Sequence, residues 1–492
     1  MEFFYSLIAH CSLFFAHCII VAMLLTIDIG TSIFKSAIWD FEGNRKAFAS
    51  VPLSISHNEG LRHEADSGQW VRAFEDCCRA LGEKIHLNTV GALVICGNGP
   101  SLTPVLTAPS KEAELTAAPS RLWLDRRAAE AAKRVSALAG GFVDPGFFLP
   151  KALDIKINEP LLYENTHFFL GCPELLAYAL TGEARTVFPS DGFERWFWND
   201  SILESLGLDK GKFPSFIRPG EVFGQLIPGV AARLGFKPDT PVISGGPDFF
   251  AAILGSGATR PGRACDRAGT SEGINACTPR RISDERLMSY NHPVKPFWNL
   301  SGIVSTTGKA IEWGRDLLGI ESYDAFYSLA QTARPGAGGL VFLPYLAGER
   351  APVWDPSKRG VLRGLNLATG RPEFARSVLE GICFAIRDII EIMENSGAVI
   401  DELRVAGALS VSDLLNQIKA DITKKPVLVP VQKETELMGL AIIGSCTLGR
   451  HASFADAASA LVKIDKEFLP DEKNAALYDE LFGEYLQIAM SK

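Results

Sequence analysis

The sequence predicts a duplicated α/β fold, in which two similar halves enclose a cleft. Both halves alternate strand-like apolar runs with amphipathic helical runs. Both also open with a strand that ends in the same glycine turn, Gly30-Thr31-Ser32 in the first half and Gly269-Thr270-Ser271 in the second. A chain of 492 residues is long enough for two large domains. We place the boundary near Gly257, which gives domains at 23–257 and 258–492.

Local patterns justify the elements of the first half in order. Alternating residues predict three strands over 24–52, and glycine-ended apolar runs predict strands at ALVICGNG and TPVISGG. One helix is predicted from a shared apolar face: Trp70, Phe74, Cys77, Cys78, Leu81 and Ile85. Further helices are predicted at RLWLDRRAAEAAKRVSAL, which Gly140 follows, at CPELLAYALTG and at PDFFAAILGSG.

The second half repeats this style. ACDRAGTSEGINAC predicts a strand, a turn and a second strand, and ELRVAGA predicts a strand that runs into a glycine. Helices are predicted at TGKAIEWGRDLLG, at RPEFARSVLEGICFAIRDIIEIMEN with proline at its start, at VSDLLNQIKADI and at ELMGLAIIGSCTLG.

Composition and charge exclude several classes. Apolar residues make up 47% and charged residues 22%, which excludes disorder, collagen and coiled coil for the whole chain. A net charge of −8 without a Lys/Arg run argues against duplex nucleic acid as the main partner. The ten cysteines show neither C-x-x-C nor zinc spacing, so we expect buried, reduced thiols in a cytoplasmic protein.

Residues 1–22 are apolar enough to suggest a signal peptide or a membrane anchor. Glu2 stands where a signal peptide carries positive charge, and His10 and His17 interrupt the apolar run. A clean strand then begins at Met23. We expect Met23 to be the natural start and residues 1–22 to be a non-native or disordered extension, with an anchor as the alternative.

The two glycine turns are candidate phosphate sites. Glycine permits a tight turn whose backbone N–H groups can point at a phosphate. The carboxylate of Asp28, at the end of the first strand, can hold Mg²⁺ through water. Matched contexts suggest a phosphate chain gripped from both sides, and the alternative for each turn is an ordinary polar hairpin.

Asp248 follows the strand PVISGG and precedes a predicted helix. A carboxylate that projects from such a junction into a cleft can accept a proton from a substrate hydroxyl. The alternative is that Asp248 only caps the helix, which is a common role for aspartate.

Two further motifs are set aside. The segment from Gly302 to Lys309 resembles a P-loop, but it has one residue too many between its glycines and Ala310 replaces the required Ser or Thr. Residues 269–273 match the G-x-S-x-G of serine hydrolases with Ser271 as nucleophile, but a poor helix start follows. His292 and His451 are the downstream histidines that could act as base.

From Met23 onward the chain resembles the FGGY family of carbohydrate kinases, whose two domains share a ribonuclease-H-like, actin-like ATPase fold. Similar segments occur in order along the chain: TIDIGTS, WLDRRA, GGPDFFAAILGSG, AGTSEGINA, LPYLAGERAPVWDPSKRGVLRGL, VAGALSVSDLLNQIKADITKKPV and ELMGLAIIGSCTLG. They correspond to the first phosphate loop, a Trp-x-Asp-x-Arg segment, the catalytic Asp, the second phosphate loop, the family's most recognisable block, the adenosine segment and the helix after it.

The resemblance implies roles for the matching residues. Asp28 would help hold Mg²⁺, and Asp248 would be the general base that takes the proton from the sugar hydroxyl. The residues that would hold the ATP phosphates or lie against the adenosine are Gly30, Thr31, Ser32, Gly269, Thr270 and Gly407. A cleft that closes between the domains would keep water from competing with the sugar.

The sugar site departs from the family pattern. Glycerol kinases show an Arg-Glu pair and xylulokinases a Met-His pair where this chain has the segment from Asn98 to Ser101. These two side chains could bind hydroxyls or belong to an ordinary glycine turn. Trp123 could stack on a sugar or lie in the core, and Asp125 could bind hydroxyls.

Other departures concern the neighbours of these segments. Arg126 and Arg127 are expected on a solvated face. Leu409 stands where the family has a small residue, so it could crowd the base or alter nucleotide preference.

We therefore expect an ATP-dependent and Mg²⁺-dependent kinase of a small sugar or polyol, with a ketopentose such as xylulose as the substrate. The alternatives are a catalytically impaired kinase-like protein that binds a sugar or nucleotide, and a serine hydrolase. The expected partners are the sugar and ATP, with a homodimer as a permitted assembly, and neither nucleic acid nor membrane.

Overall fold

The computed structural model describes residues 23–107 and 115–491, and the chain divides into two compact units. The first unit takes in the described residues up to Pro189, then Arg195–Asp248 and Ile443–Arg450. The second unit takes in Ser190–Glu194, Phe249–Ile442 and the residues from His451 onward. The segment 1–22 lies outside the described residues, and the boundary near Gly257 stays a prediction.

The first unit contains fourteen strands in its described part. In chain order they are β1 (Met23–Ile29), β2 (Ile33–Trp39), β3 (Arg45–Pro52), β4 (His57–Glu59), β5 (Arg62–Ala65), β6 (Val90–Gly97), β7 (Thr103–Thr107), β8 (Thr116–Ala117), β9 (Ser120–Arg121), β10 (Phe168–Leu170), β11 (Thr186–Val187), β12 (Phe216–Ile217), β13 (Val222–Gln225) and β14 (Pro241–Pro247). Six of them form the main sheet in the order β13-β14-β6-β1-β2-β3. Its β14·β6 and β6·β1 pairs are parallel and the others antiparallel.

Seven α-helices belong to the described part of the first unit. They are α1 (Gly68–Gly82), α2 (Ala129–Ala139), α3 (Phe148–Asn158), α4 (Pro160–Asn165), α5 (Cys172–Thr181), α6 (Asp200–Ser205) and α7 (Pro228–Leu234). The face predicted for α1 is buried from Trp70 to Leu81, and Ile85 lies beyond the helix end. The helix predicted from Arg121 onward begins only at Ala129, because the residues before it form a strand and turns.

The second unit repeats the sheet of the first. Its strands are β15 (Gly262–Ala268), β16 (Glu272–Thr278), β17 (Met288–Asn291), β18 (Trp298–Val304), β19 (Val341–Leu343), β20 (Val361–Arg363), β21 (Ile400–Ala406), β22 (Val427–Pro430) and β23 (Ile464–Phe468). The order β18-β16-β15-β21-β22-β23 matches β3-β2-β1-β6-β14-β13, pair by pair, in both order and direction. This repetition confirms the predicted duplication.

Eight α-helices lie wholly or mainly in the second unit, which has a core of its own. They are α8 (Asp248–Ser256), α9 (Gly308–Leu317), α10 (Tyr323–Thr332), α11 (Arg371–Asn395), α12 (Asp413–Thr423), α13 (Thr435–Thr447), α14 (Phe454–Leu461) and α15 (Ala475–Met490). α11 is buried along most of its length and supplies much of that core. Of the helices in the described ranges, none has both the length and the apolar character needed to cross a bilayer.

Candidate active site

Three of the predicted site residues lie at one edge of the main sheet in the first unit. Asp28 is near the end of β1, Asn98 directly follows β6, and Asp248 directly follows β14. These three strands are parallel neighbours, and Gly97 at the end of β6 pairs with the last residue of each neighbour. The carboxyl ends of adjacent parallel strands meet at one edge, where α/β proteins place their ligands.

The first glycine turn is tight and has a neighbour from a distant segment. The Gly30 N–H donates to the Ile33 carbonyl at 3.1 Å, and a Cβ on Gly30 would lie 2.6 Å from that oxygen. Glycine is therefore required here. The Trp123 indole N–H donates to Thr31 Oγ1 at 3.1 Å, while Ser32 is exposed. The structure thus brings the Trp-x-Asp segment to the first glycine turn.

The charges of Asp28 and Asp248, the carboxylates predicted for metal and base chemistry, both act on the buried thiol of Cys172. Asp28 is buried, and Cys96 Sγ lies 3.5 Å from its Oδ1. Burial raises the pKa of Cys172 well above its usual value, and the charges of Glu174, Asp248 and Asp28 raise it further. Carboxylate oxygens are the ligands that Mg²⁺ prefers, but the described residues bring no group of three or more metal-binding side chains together, so the Mg²⁺ role of Asp28 stays a prediction.

One acceptor atom of Asn98 has no hydrogen-bond partner among the described residues. Its backbone N–H and its side-chain Nδ2 both donate to the Ile29 carbonyl, at 2.8 Å and 2.9 Å. Its Oδ1 is buried and has no hydrogen-bond partner among the described residues. Ser101 Oγ, in contrast, accepts a bond from the Cys172 N–H at 3.0 Å. Of these two side chains, Asn98 is therefore the one whose acceptor has no partner among the described residues.

Asp125 lies inside an ion-pair network. Its side chain is 0% exposed and accepts bonds from the His63 N–H at 3.0 Å and from Arg127 Nε at 3.1 Å. Burial alone would raise the pKa of Asp125, but Arg127 and the His63 amide outweigh it and lower the value. Arg127 also pairs with Glu64 at 2.5 Å, so its expected place on a solvated face is wrong.

These contacts explain why the residues before Ala129 are not helical. The hydrogen bond from His63 and the pair with Glu64 hold the backbone around Asp125 in turns. Its role as a hydroxyl ligand stays a prediction, because both carboxylate oxygens already accept hydrogen bonds from the protein. Arg126 is half-buried, pairs with Asp144 and donates to the Trp123 carbonyl at 2.6 Å.

The second glycine turn rests on the start of α9. The Gly269 N–H donates to the Ser271 carbonyl at 2.9 Å. In return, the Gly269 and Thr270 carbonyls accept bonds from the N–H groups of Gly308 and Thr307, at 3.0 Å and 3.2 Å. A Cβ on Gly308 would lie 2.4 Å from the Gly269 carbonyl oxygen. The helix start therefore fixes the turn through its backbone.

The structure excludes the two motifs that were set aside. Gly302 lies within β18, so the following residues do not form a P-loop. Ser271 is followed by β16 where a hydrolase needs a helix. His292 has both ring nitrogens in hydrogen bonds, to the Ala258 carbonyl and from the Val294 N–H, and burial lowers its pKa to about 4.

The segment predicted to contact adenosine begins at a glycine that no other residue can replace. Gly407 has φ +81°, and a Cβ there would lie 2.2 Å from the Ala268 carbonyl oxygen. Leu409 is 7% exposed and packs into the core of the second unit. Its side chain is thus directed into that core, which argues against the expected crowding of the base.

Two buried lysines were not among the residues predicted from the sequence. Lys151 of α3 is 0% exposed and contacts the segments of Pro100 and Leu122. Lys419 of α12 pairs with carboxylates on the two strands that flank the second glycine turn. The one available signal was that each lysine stands on an apolar helix face, since lysine is almost never fully buried unless it is paired.

The chain matches both domains of one family. The N-terminal domain of the FGGY family of carbohydrate kinases matches residues 23–255, and its C-terminal domain matches residues 267–448. Xylulose kinase from Escherichia coli is 27% identical, over 93% of this chain and 96% of that protein.

Solved structures agree with this match. A ligand-bound xylulose kinase from Lactobacillus acidophilus superimposes with a TM-score of 0.83 at 24% identity, over 95% of this chain and 97% of the other. Glycerol kinase from Plasmodium falciparum with ADP gives 0.80 at 18% identity, over 96% and 99%.

The predicted fold class is thus confirmed as two actin-like ATPase domains. Together the two domain matches span most of the chain in the expected order. The chain therefore belongs to the FGGY family of carbohydrate kinases, phosphotransferases that use ATP and an alcohol group as the acceptor.

Proposed function

We propose that this kinase phosphorylates a hydroxyl of a ketopentose such as xylulose. The similarity to xylulose kinase over nearly the whole chain favours this class of sugar. The observation that carries the proposed site is the meeting of Asp28, Asn98 and Asp248 at the carboxyl edge of three parallel strands.

Asp248 is proposed as the general base. It is half-buried at the junction of β14 and α8, where a hydroxyl can approach its carboxylate. As the sugar oxygen forms its bond to the γ-phosphorus of ATP, the bond to the ADP oxygen breaks and Asp248 takes the hydroxyl proton. A positioned base contributes about 10²–10⁴ in rate.

Asn98 and Trp123 are proposed to bind the sugar. The buried Asn98 Oδ1 lacks a protein donor, and a sugar hydroxyl would supply one. Trp123 is half-buried and is anchored through its indole N–H to Thr31, which leaves the ring able to offer a face to the sugar. Because Asn98 replaces the charged or Met-His pairs of related kinases, we expect it to influence the choice of sugar.

Backbone turns and a metal ion are proposed to bind the nucleotide. In the first unit, Asp28 would hold Mg²⁺ through water, and the turn from Gly30 to Ser32 would cradle the terminal phosphate. In the second unit, Gly269 and Thr270 would hold the phosphate chain, and Gly407 would lie against the adenosine. Mg²⁺ when bound neutralises the charge that develops on the transferred phosphoryl group.

A panel of sugars tests the proposal. ADP release is measured with pentuloses, hexuloses, aldonates and polyols, and a pentulose is expected to give the highest kcat/KM. Asp248→Asn is then expected to lower kcat by at least about a hundredfold while calorimetry still detects ATP binding. Equal turnover by Asp248→Asn would overturn the role of the base, and a preference for another sugar class would overturn the substrate.

A further inference from the structure

Lys151 uses all three N–H donors of its ammonium group in hydrogen bonds to backbone carbonyls. Its side chain is 0% exposed, and its Nζ donates to the carbonyls of Leu122, Pro100 and Arg121 at 2.7 Å, 2.8 Å and 3.2 Å. An ammonium group has three N–H donors and no acceptor. Each donor therefore has one carbonyl, and the carbonyls of Arg121 and Leu122 also accept a backbone N–H, from Leu102 at 2.9 Å and from Asp125 at 3.0 Å.

The three carbonyls belong to two segments that are distant in sequence. Pro100 lies in the segment 98–101, while Arg121 and Leu122 begin the segment 121–125. These are the segments that carry Asn98 and Trp123. Directly after the first segment, Leu102 forms an antiparallel bridge with Arg121, in which the two residues exchange two hydrogen bonds of 2.9 Å.

Helix α3, which carries Lys151, makes a further contact with the segment 121–125. Asp154 stands three residues further along α3, hence on the same helix face, and pairs with the Arg121 guanidinium at 2.6 Å. One helix therefore holds the backbone and the side chain of Arg121 together. This fixes the position of the backbone near Trp123, whose indole N–H donates to Thr31.

Burying the charged side chain of a lysine at this position costs free energy. Burial lowers the pKa of Lys151 well below its usual range, and the charge of Asp125 compensates only in part. Apolar side chains of similar volume would be cheaper to bury. A requirement for three donors at one point explains why an ammonium group is found here.

We propose that Lys151 is a positioning residue of the sugar site, which fastens the segment 98–101 to the segment 121–125 and so sets the affinity for the sugar. This inference rests on the proposed function, since it takes Asn98 and Trp123 as sugar ligands. Lys151 itself touches no substrate, because it is enclosed by protein on all sides.

The test compares Lys151→Met with a matched surface variant, Lys133→Met. Methionine keeps the unbranched side chain up to the Cε position and removes all three donors. We expect the KM for the sugar to rise at least tenfold in Lys151→Met while the KM for ATP changes less than twofold. Lys133 is exposed on α2 and pairs with Glu130, so Lys133→Met is expected to leave both values unchanged.

Hydrogen exchange supplies a readout independent of activity. The amides of Leu102 and Arg121 are expected to exchange at least tenfold faster in Lys151→Met, whereas peptides of the second unit keep their rates. Equal increases in both KM values, an unchanged sugar KM, or unchanged exchange at these two amides would each overturn the inference.

A second variant covers a failure to fold. Lys151→Arg keeps the charge and the donors in a larger group, and it is expected to raise the sugar KM with the KM for ATP unchanged. A folded Lys151→Arg that binds sugar as the native protein does would overturn the inference. If the native protein phosphorylates no sugar of the panel, the proposed function fails, and the exchange rates alone decide whether Lys151 fastens the two segments.

Discussion

Each unit buries one lysine completely in its described part, and the two lysines have opposite kinds of partner. In the first unit, Lys151 of α3 meets three neutral carbonyls. In the second unit, Lys419 of α12 meets two carboxylates, those of Asp266 and Glu272, the latter at 2.6 Å. Asp266 lies on β15 and Glu272 begins β16, so Lys419 joins the two strands that flank the second glycine turn.

The different partners shift the pKa values of the two ammonium groups in opposite directions. Burial lowers the pKa of Lys151, because carbonyl dipoles do not replace the lost hydration. Burial also disfavours the charge of Lys419, but Asp266 and Glu272 outweigh it and hold its pKa above the usual range. Burial and the charge of Asp266 raise the pKa of Glu272, because one lysine cannot neutralise two carboxylates. A buried lysine thus serves as a hydrogen-bond hub in one unit and as a counter-ion in the other.

The largest expected effect comes from removing the counter-ion. Lys419→Met leaves Asp266 and Glu272 buried without their cation, which we expect to lower the free energy of unfolding by about 3–5 kcal/mol. Urea unfolding measures this value. Lys424→Met is the control, since Lys424 is a half-exposed neighbour with a surface partner. A loss below about 1 kcal/mol for Lys419→Met would show that the carboxylates are not charged in the fold.

The next effect concerns one buried carboxyl group in each unit, Glu174 and Glu349. Burial raises the pKa of each from 4.5 to about 7. Between these pH values the folded state keeps a proton that the unfolded state releases, so the free energy of unfolding falls as pH rises. Each group contributes about 3 kcal/mol to this fall.

Glutamine variants test the carboxyl comparison. Glu174→Gln is expected to remove the contribution of Glu174 to the pH dependence, and Glu349→Gln that of Glu349, while Asp388, with a pKa raised to about 6, keeps its own contribution. Unfolding curves at pH 4.5 and pH 7 measure both. An unchanged pH dependence in the double variant would contradict the assignment.

Removal of the hydrogen-bond hub should cost less than removal of the counter-ion. Lys151→Met removes one donor from each of three neutral carbonyls, of which those of Arg121 and Leu122 keep a backbone N–H. It also removes a costly buried charge, so we expect a loss of about 1–3 kcal/mol. The same urea experiment measures it. A loss equal to that of Lys419→Met would mean that three carbonyls hold an ammonium as firmly as two carboxylates do.

The smallest effect belongs to an exposed lysine. Lys133 pairs with Glu130 on the surface of α2, and Lys133→Met is expected to change the free energy of unfolding by less than about 0.5 kcal/mol. A larger change would show that the methionine substitution itself disturbs the protein, and the losses in the two buried variants would need correction by that amount.

Several features could be predicted from the sequence because their causes are local. The glycine turn after β1 needs a residue without Cβ, and α2 ends where Gly140 adopts a φ of 68°. The strand and helix periods of both halves predicted the duplication that the two sheets confirm. The family resemblance followed from motifs in order, and both domain matches confirm it. The roles assigned to single residues stay predictions.

Tertiary structure alone decided the features that depend on distant partners. The residues from Leu122 to Arg127 have helical character in the sequence, but the hydrogen bond from His63 to Asp125 and the pair of Arg127 with Glu64 keep them in turns. The roles of the two buried lysines likewise depend on chain contacts across 51 residues in one unit and 153 in the other. Periodicity along the chain reports which face a residue takes, and it cannot report which charges or carbonyls the fold will bring to that face.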